Sequence, residues 1–460
     1  MRICHLHLLW SDEDYHLAAA INILHGKIPY RDFWYDKPPL CAAYYLLIGG
    51  YPGWMLRCLD AGYVVLACWL AYRVARIWWG EREGYCAALL LASFTTFYLP
   101  AAVIPFAPDA LLIAPQLAAI LFASQKRAGW AGFFCGMGLL VNVKAAFVLV
   151  VCAIWLSPEL PLLLAGAAVP LAGFAAWLWI SGAAAGFYEQ VWRWGLLYAQ
   201  GSPVAHPFEL GLGRVSAWLG FHCALILGAG FGFAYLRLRE RWKLGSWMAL
   251  SFAAVCLGNH FAPRYFLQLL PALAIVAARG ISRAHERWRG PTWAVLALLL
   301  AAPFVRFGFR YASLAADDIR RQQPKWTDVA MDLDSQQAAL KIRQLALAGD
   351  TLFVWGYRPD IYVYTRMTSG GLFWDSQPLT GVPADRHLSS TTTVFGGPAE
   401  RNREELIRTN PTFVVDGLGP LNPALRPENY AEIRQWLARY EEVGRTKLCV
   451  IYRLIPRKRL

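Results

Sequence analysis

The sequence predicts a polytopic α-helical membrane protein with a soluble α/β domain at its C-terminal end. Of the 460 residues, 57% are hydrophobic and only 16% are charged, whereas a soluble domain carries about 25% charge. Mean hydropathy is +0.34, and apolar segments recur as far as residue 309. Beyond that point the chain contains charges of both signs and a soluble composition.

Ten apolar segments predict a transmembrane domain of about ten helices over residues 54–309. Several approach the ~20 residues that a helix needs to cross a bilayer. The fourth and fifth are short, which suits helices that are broken or lie beside a cavity. The segments are 54–75, 84–103, 108–124, 129–142, 145–157, 160–181, 212–236, 244–258, 264–279 and 291–309.

Basic residues lie in alternate loops and therefore predict the topology. They follow the first, third, seventh and ninth segments: Arg73, Arg76 and Arg82; Lys126 and Arg127; Arg237, Arg239, Arg241 and Lys243; Arg279, Arg283, Arg287 and Arg289. Positive charge marks the cytoplasmic side, so both ends of a multi-pass inner-membrane protein are expected outside the cytoplasm. The net charge of +13 therefore reflects basic residues in cytoplasmic loops, and nucleic acid is not an expected partner.

Residues 310–460 are predicted to form a soluble, extracytoplasmic α/β domain. The runs TLFVW, TFVVD and LCVIY resemble strands, and the stretches 328–348 and 428–440 have a helical pattern. About 150 residues is a typical size for one domain.

Residues 1–53 are predicted to form an outer loop with two polar motifs. Three carboxylates at positions 12–14 precede an apolar stripe that ends near Gly26, which predicts a short helix lying in the membrane interface. The KPP run at 37–39 keeps the following chain extended. The first ten residues are too short to span a bilayer or to act as a signal peptide. We therefore expect that a first membrane helix is missing through truncation or a misplaced start.

The cysteines predict neither a disulfide framework nor a zinc site. No CxxC pair occurs, and seven of the ten cysteines lie inside apolar runs, where cysteine behaves as a small hydrophobe. The acidic run at 12–14 resembles a DxD metal motif, but that motif normally follows a strand, whereas this run precedes a helix. We expect no cofactor and no essential metal ion.

Polar residues at the predicted outer boundary form the candidate site. Asp12 and Glu13 are candidate catalytic carboxylates, although an acid at a helix N-terminus also serves as a cap. Lys37 could instead have a structural role and extend its charge to the surface. Asp109 could instead cap the helix that it begins. The other candidates interrupt or border apolar runs: Asn142, Lys144, His260, Arg264 and Tyr265.

The predicted topology places these candidates on one side of the membrane. Six are expected to line one cavity: Asp12, Glu13, Lys37, Asp109, Lys144 and Arg264. Such a set suits sugar transfer from a lipid phosphate, because a carboxylate takes the proton of a hydroxyl acceptor and cations stabilise the departing phosphate. His260 and Arg264 are expected to share a helical face. Arg57 and Asp60, three residues apart, are expected to form a structural pair.

The chain resembles the GT-C glycosyltransferases, in the bacterial branch related to protein O-mannosyltransferases and lipid A aminoarabinose transferases. Most of the likeness lies at residues 12–40: Asp12-Glu13, then HLAAAINILHG, GKIPY and KPPL. Asp109 at the start of a later helix, Lys144 after GMGLLVNV and the run RYFLQLLPALA match the family in the same order. The run DTLFVWGYRPDIYVYTR resembles its outer α/β domain.

This resemblance implies a hexosyl- or pentosyltransferase that uses a polyprenyl-phosphate sugar and inverts the anomeric carbon. The acceptor would be a lipid, glycan or protein outside the cytoplasm. Asp12 would be the general base, with Glu13 as its rival, and Lys37 would hold the donor phosphate. The remaining substrate-binding residues would be Asp109, Lys144, His260, Arg264 and Tyr265. Tyr15 and His16 stand where aminoarabinose transferases have an arginine, so the chain departs from that branch at this position.

Two other functions are compatible with parts of the sequence. A flippase or transporter of polyprenyl-linked lipids would explain the membrane spans and the cations beside a lipid phosphate. It explains poorly the acidic loop and the large outer domain. A non-catalytic relative of the transferases is the third interpretation. Sugar transfer from a labelled lipid-linked donor separates the enzyme from both.

Overall fold

The computed structural model describes residues 1–200, 206–320 and 326–456. The first half contains the helices α1 (Ser11–Leu24), α2 (Pro39–Leu46), α3 (Trp54–Trp79), α4 (Glu81–Phe94), α5 (Pro100–Val103), α6 (Pro108–Leu111), α7 (Ile113–Ser124), α8 (Ala128–Leu139), α9 (Ala145–Trp155) and α10 (Leu160–Ser181). The next part contains α11 (Ala184–Phe187), α12 (Trp194–Gln200), α13 (Pro207–Phe221), α14 (Cys223–Ala234), α15 (Leu238–Cys256), α16 (Leu270–Trp288) and α17 (Gly290–Arg320).

Helices occupy the predicted apolar segments, and several segments contain breaks that the hydropathy pattern does not show. The segment 84–103 ends its helix at Phe94 and turns before the short α5. The segment 212–236 is divided between α13 and α14, which meet at an angle of 84°. Hydropathy reports only that a run is apolar, and His222 at the break is buried against aromatic rings, so the predicted single helix is wrong there.

Three helices among the described residues are long and apolar enough to cross a membrane by length and composition. They are α3, the stretch Ser157–Ser181 and the stretch Gly290–Asp317, and the bent pair of α13 and α14 makes up to a fourth. Other apolar helices, such as α8 and α9, are shorter than the ~20 residues that a straight crossing needs. The number of ten spans therefore stays a prediction.

Close helix packing in this region depends on glycines. Gly132 and Gly136 of α8 face α10, where a Cβ on Gly132 would overlap the carbonyl oxygen of Leu163. The same arrangement occurs where Gly228 of α14 meets Gly280 of α16. Small residues four positions apart allow helix backbones to approach closely, which is the usual basis of packing between membrane helices.

Helix α1 is buried, contrary to the expectation of an exposed interfacial helix. Leu17 and Ile21 of the predicted apolar stripe have no exposed surface, and neither does the polar Asn22. The Asn22 side chain accepts a hydrogen bond from the backbone N–H of Ser369 at 3.0 Å. The C-terminal part of the chain therefore covers α1 on the side that the local sequence pattern assigned to water.

The C-terminal part is an α/β domain, as predicted. Its helices are α18 (Thr327–Leu345), α19 (Asp360–Thr365), α20 (Gln377–Thr380), α21 (Gly396–Leu406) and α22 (Ala431–Leu437), and its strands are β1 (Thr351–Trp355), β2 (Thr368–Ser369), β3 (Phe413–Asp416), β4 (Tyr440–Arg445) and β5 (Val450–Leu454). The sheet order is β2-β1-β3-β5-β4. Strand β1 is parallel to β2 and β3, whereas β5 is antiparallel to both β3 and β4.

The three predicted strands correspond to β1, β3 and β5, and two boundaries differ from the prediction. The predicted helix over 428–440 is shorter, because β4 begins at Tyr440 and pairs with β5. The predicted domain start at residue 310 lies inside α17, which continues to Arg320. Residues 321–325 and 457–460 of the predicted domain lie outside the described residues.

Hydrogen bonds attach the C-terminal domain to the loop of residues 1–53. The indole N–H of Trp374 donates to the carbonyl of Trp34 at 2.7 Å. The Arg366 guanidinium donates to the carbonyls of Gly49 and Gly50 at 3.0 and 2.8 Å. These contacts hold the domain over the start of α1, where the polar candidate residues lie.

Candidate active site

A cavity of about 380 Å³ opens where the start of α1, the loop before α2 and the C-terminal domain meet. It is lined by most of the residues that the sequence analysis selected: Asp12, Lys37, Asp109, Asn142, Lys144, Arg264 and Tyr265. The expectation of one shared cavity is thus correct for five of its six residues, and Glu13 is the exception. What each residue does there stays a prediction.

Asp12 and Arg264 form a partly exposed ion pair in the lining of this cavity. Asp12 lies in the first turn of α1, and its Oδ2 accepts a hydrogen bond from the Arg264 Nη1. The side chains are 26% and 35% exposed, so both remain accessible to a ligand. Asp12 is thus not an isolated carboxylate, because Arg264 reaches it from 252 residues away in the chain.

Asp109 and Lys144 form a second, deeper pair. Lys144 Nζ donates to Asp109 Oδ1 at 3.0 Å, and the Asn142 amide donates to the same oxygen at 3.2 Å. The ammonium group also lies 3.1 Å from the centre of the Tyr265 ring, which is a cation–π contact. All three polar side chains are more than nine-tenths buried. Asp109 is therefore held by two donors, and it also lies 3.9 Å from Arg264.

Lys37 contributes the third cation, and its backbone is held in place by neighbouring contacts. Its carbonyl accepts a hydrogen bond from the Tyr30 hydroxyl at 2.8 Å, and Pro38 follows in an extended conformation. The ammonium group pairs with Asp36 at 2.7 Å and is 37% exposed. Asp36 also lines the cavity, although the sequence analysis did not select it.

Glu13 points away from the cavity and does not line it, and its role as a rival base stays a prediction. Its two carboxylate oxygens accept hydrogen bonds from the Arg57 Nη1 and Nη2 at 2.9 and 2.8 Å, and neither side chain is accessible. Neighbouring residues of a helix project about 100° apart, which turns Glu13 toward α3 while Asp12 meets the cavity. Arg57 also pairs with Asp60 at 3.4 Å, and that structural pair is confirmed.

His260 lies beside the cavity and does not belong to its lining. Its ring stacks on Tyr198, a lining residue, with 5.1 Å between centroids. Burial is the main cause that lowers the pKa of His260. The expected shared helical face with Arg264 is wrong, because Asn259 and Phe261 have positive φ values of 56° and 45° and the next helical turn begins only at Pro263.

His16 is a lining residue that the sequence analysis named but did not assign to the site. It lies one turn after Asp12, and its Nδ1 is 2.7 Å from the Tyr35 hydroxyl. Burial, followed by the charges of Lys37 and Arg264, lowers the pKa of His16 to about 3, so the imidazole is neutral. Because residues four apart share a helical face, the spacing from Asp12 was a usable signal.

The C-terminal domain supplies one side of the cavity through Tyr357, Gln377 and Asp385. The side-chain amide oxygen Oε1 of Gln377 accepts a hydrogen bond from the backbone N–H of Ala384 at 2.8 Å, which fixes the position of the Gln377 amide group. Nothing in the local sequence marks these residues, because their role depends on how the domain packs over α1. Within the described residues, no group of three or more His, Cys, Asp or Glu side chains is arranged to hold a metal ion. The expectation of no essential metal stays a prediction.

Comparisons with known proteins show which fold this chain shares and which family model part of it matches. Residues 36–187 match the family model for dolichyl-phosphate-mannose-protein mannosyltransferase. The comparison with curated proteins found no match.

Solved structures with this fold include ArnT from Cupriavidus metallidurans. The structure bound to undecaprenyl phosphate has 15% identity and a TM-score of 0.55, with 98% of this chain and 95% of that chain covered. The apo state has 15% identity and a TM-score of 0.57, covering 97% and 94%. The Archaeoglobus fulgidus oligosaccharyltransferase tethered with an acceptor peptide has 14% identity and a TM-score of 0.49, covering 96% and 71%. The predicted resemblance is confirmed: the chain has the fold of ArnT over nearly its whole length, and residues 36–187 match a mannosyltransferase family model.

Proposed function

We propose that the protein transfers a sugar from a polyprenyl-phosphate carrier to an acceptor on the extracytoplasmic side, with inversion of the anomeric carbon. The observation that carries this proposal is the cavity in which Asp12 and Asp109 lie among Lys37, Lys144 and Arg264. An acceptor hydroxyl needs a proton acceptor, and a departing phosphate needs positive charge. The cavity contains both kinds of group on residues from distant parts of the chain.

The two partly exposed cations are suited to the donor phosphate. Arg264 and Lys37 are 35% and 37% exposed, so an anion can reach them without unfolding the site. A guanidinium group binds phosphate oxygens through two parallel hydrogen bonds, and an ammonium group adds a compact charge. Lys144 is buried against Asp109 and Tyr265, which suits a supporting role behind the phosphate.

Asp12 is the best-placed general base. Asp109 accepts hydrogen bonds from Lys144 and Asn142 and is buried, so its oxygens are largely occupied. Asp12 is the more exposed of the two. In the proposed step the acceptor hydroxyl gives its proton to Asp12 and its oxygen forms a bond to the anomeric carbon. The bond from that carbon to the phosphate oxygen breaks, and polyprenyl phosphate leaves with the electron pair.

The acceptor would enter beside the C-terminal domain. Tyr357, Gln377 and Asp385 offer an aromatic ring, an amide and a carboxylate at the cavity, and such groups recognise hydroxyl-bearing ligands by stacking and hydrogen bonds. In the predicted topology the basic loops lie on the other side of the membrane from this domain. Because basic loops mark the cytoplasmic side, they support an extracytoplasmic position for the domain. A lipid, a glycan or a protein hydroxyl all fit these groups.

The experiment is a transfer assay on the purified full chain with undecaprenyl-phosphate sugars that carry a label in the sugar. Lipid extract from the cell envelope serves as one acceptor pool and envelope protein as another. Label should move to one pool with the wild type and remain on the carrier with Asp12→Asn. Glu442→Gln is the matched control, since this exposed carboxylate of β4 pairs only with the exposed Arg445 among the described residues. Label that stays on the carrier with the wild type and every donor sugar would refute the function.

A further inference from the structure

Every cation of the cavity is already paired with an aspartate. Lys37 pairs with Asp36 at 2.7 Å, Lys144 pairs with Asp109 at 3.0 Å, and Arg264 pairs with Asp12. A phosphate that enters this cavity therefore meets cations whose charge is balanced by carboxylates. Its binding must exchange or rearrange at least one of these ion pairs.

Replacing an aspartate by the donor phosphate matters most for the pair of Asp12 and Arg264, because Asp12 is the proposed general base. A carboxylate oxygen that accepts a hydrogen bond from a guanidinium is occupied and meets an acceptor hydroxyl less readily. A general base works by accepting a proton in the transition state, so Arg264 occupies one of the two oxygens through which Asp12 would act. The Arg264 Nε lies 3.9 Å from Asp109, so the guanidinium has a second carboxylate nearby and does not depend on Asp12 to keep its position.

We propose that Asp12 and the donor phosphate compete for Arg264, so that Asp12 becomes an effective base only when the donor is bound. This inference rests on the proposed function and adds a regulation of the same site. The phosphate draws the guanidinium away from Asp12, which frees the Asp12 Oδ2 to accept the proton of the acceptor hydroxyl. An empty donor site leaves Asp12 paired, so the base is inactive until there is a sugar to transfer.

The same exchange returns the site to its starting state. After transfer, Asp12 carries the proton from the acceptor hydroxyl, and Arg264 binds the phosphate of the leaving lipid. When that lipid departs, Asp12 releases the proton to solvent and Arg264 pairs again with the carboxylate. The donor binds before the acceptor is activated, and no further reactant is needed to balance the cycle.

The test measures the affinity of the detergent-purified full chain for undecaprenyl phosphate, which carries the phosphate but no sugar. Removing the competing carboxylate in Asp12→Asn should tighten binding by about threefold to tenfold. Arg264→Gln should weaken binding, and adding Asp12→Asn to it should change the affinity by less than about twofold. Asp12→Ser is the second variant, in case the amide forms a new hydrogen bond with Arg264.

The matched control is Glu189→Gln. Glu189 is an acid that pairs with an arginine, Arg193, at 2.9 Å, and it lies two residues before the lining residue Val191 without lining the cavity itself. If the effect comes from competition for Arg264, this variant should bind the lipid like the wild type. Equal tightening by Glu189→Gln, or tightening by Asp12→Asn that persists in the Arg264→Gln chain, would show a general charge effect and overturn the proposal. Weaker binding by both Asp12 variants would also overturn it, because Asp12 would then position Arg264 for the phosphate.

Failure of the proposed function has a different signature in this experiment. Undecaprenol has the same chain without the phosphate and serves as the reference lipid. A wild type that binds undecaprenyl phosphate no better than undecaprenol refutes both the donor site and the exchange. A wild type that prefers the phosphate, with Asp12 variants that bind no more tightly, refutes the exchange alone.

Discussion

The neighbouring residues Asp12 and Glu13 of α1 belong to two different ion-pair clusters. The two clusters differ in how accessible their charged groups are to a ligand. Glu13 binds Arg57 through two hydrogen bonds, and the Arg57 Nη2 also donates to the carbonyl of Leu8 at 2.6 Å, so the buried cluster has no exposed donor. Asp12 binds Arg264 through a single nitrogen, and both side chains remain partly exposed. The same residue types thus form a structural contact in one place and an accessible site in the other. Accessibility and incomplete pairing, more than residue type, distinguish the candidate site.

The largest expected effect comes from exchanging the two neighbouring acids for amides. Asp12→Asn should lower kcat by about 10²–10⁴-fold, because it removes the general base, while the donor still binds. Glu13→Gln should leave kcat per folded molecule nearly unchanged and lower the thermal stability, because it weakens a buried ion pair. The measurement is single-turnover transfer together with a melting curve for each variant. Loss of kcat in Glu13→Gln with normal melting would reverse the assignment of the two residues.

Arg57→Gln should be the most destabilising single change in the buried cluster. It leaves the Glu13 carboxylate buried without its cation, and breaking a buried pair costs about 3–5 kcal/mol. Thermal unfolding in detergent measures the loss, and the affinity for undecaprenyl phosphate of the folded fraction should stay normal. Arg283→Gln is the control, since Arg283 forms an exposed pair with Glu286 and should melt like the wild type. Equal melting of the two variants would contradict the structural role of Arg57.

Lys37→Ala should weaken donor binding and slow transfer, because the phosphate loses one stabilising charge in both the ground and transition states. A charge-assisted hydrogen bond contributes about 1.5–3 kcal/mol, which corresponds to about 10-fold or more in affinity. Titration with undecaprenyl phosphate and the dependence of rate on donor concentration measure both effects. Lys341→Ala on the exposed surface of α18 is the control. A change in kcat without a change in affinity would remove Lys37 from the phosphate site.

The smallest effect concerns Asp332, a buried acid that forms no ion pair within the described part of the chain, in contrast to Glu13. Burial, followed by the charge of Asp360, raises the pKa of Asp332 to about 8. Between an unfolded pKa near 3.9 and about 8, the folded protein keeps this proton while the unfolded chain has lost it. Stability from this group therefore falls as pH rises through that window and is constant above it.

Asp332→Asn should remove this pH dependence while keeping an acceptor for the Tyr364 hydroxyl, which donates to Asp332 at 2.7 Å. We expect the melting temperature to rise by about 2–4 °C at pH 8 and to change little at pH 4. Glu404→Gln on the exposed surface of α21 is the control. A drop in melting temperature at pH 8 would mean that the Asp332 carboxylate is ionised in the folded protein.

The sequence by itself predicted the membrane class, the α/β domain and most of the cavity residues. Apolar runs and the strand patterns of β1, β3 and β5 are local properties, so they can be read from short windows of the chain. The polar residues at 12, 37, 109, 144, 264 and 265 were identifiable because a charge or hydroxyl beside an apolar run is costly unless it has a function. The resemblance in the first 40 residues then supplied their expected roles.

Only the tertiary structure decided how those residues are paired. Glu13 and Arg57 lie 44 residues apart, and Asp12 and Arg264 lie 252 residues apart. Such contacts depend on which helix faces meet. Neighbouring residues of a helix project about 100° apart, so Glu13 enters a buried ion pair while Asp12 lines the cavity. The burial of α1 and the contribution of Tyr357 and Asp385 follow from the docking of the C-terminal domain. Local sequence patterns do not predict that docking, because its hydrogen bonds join backbone and side-chain groups that are far apart in the chain.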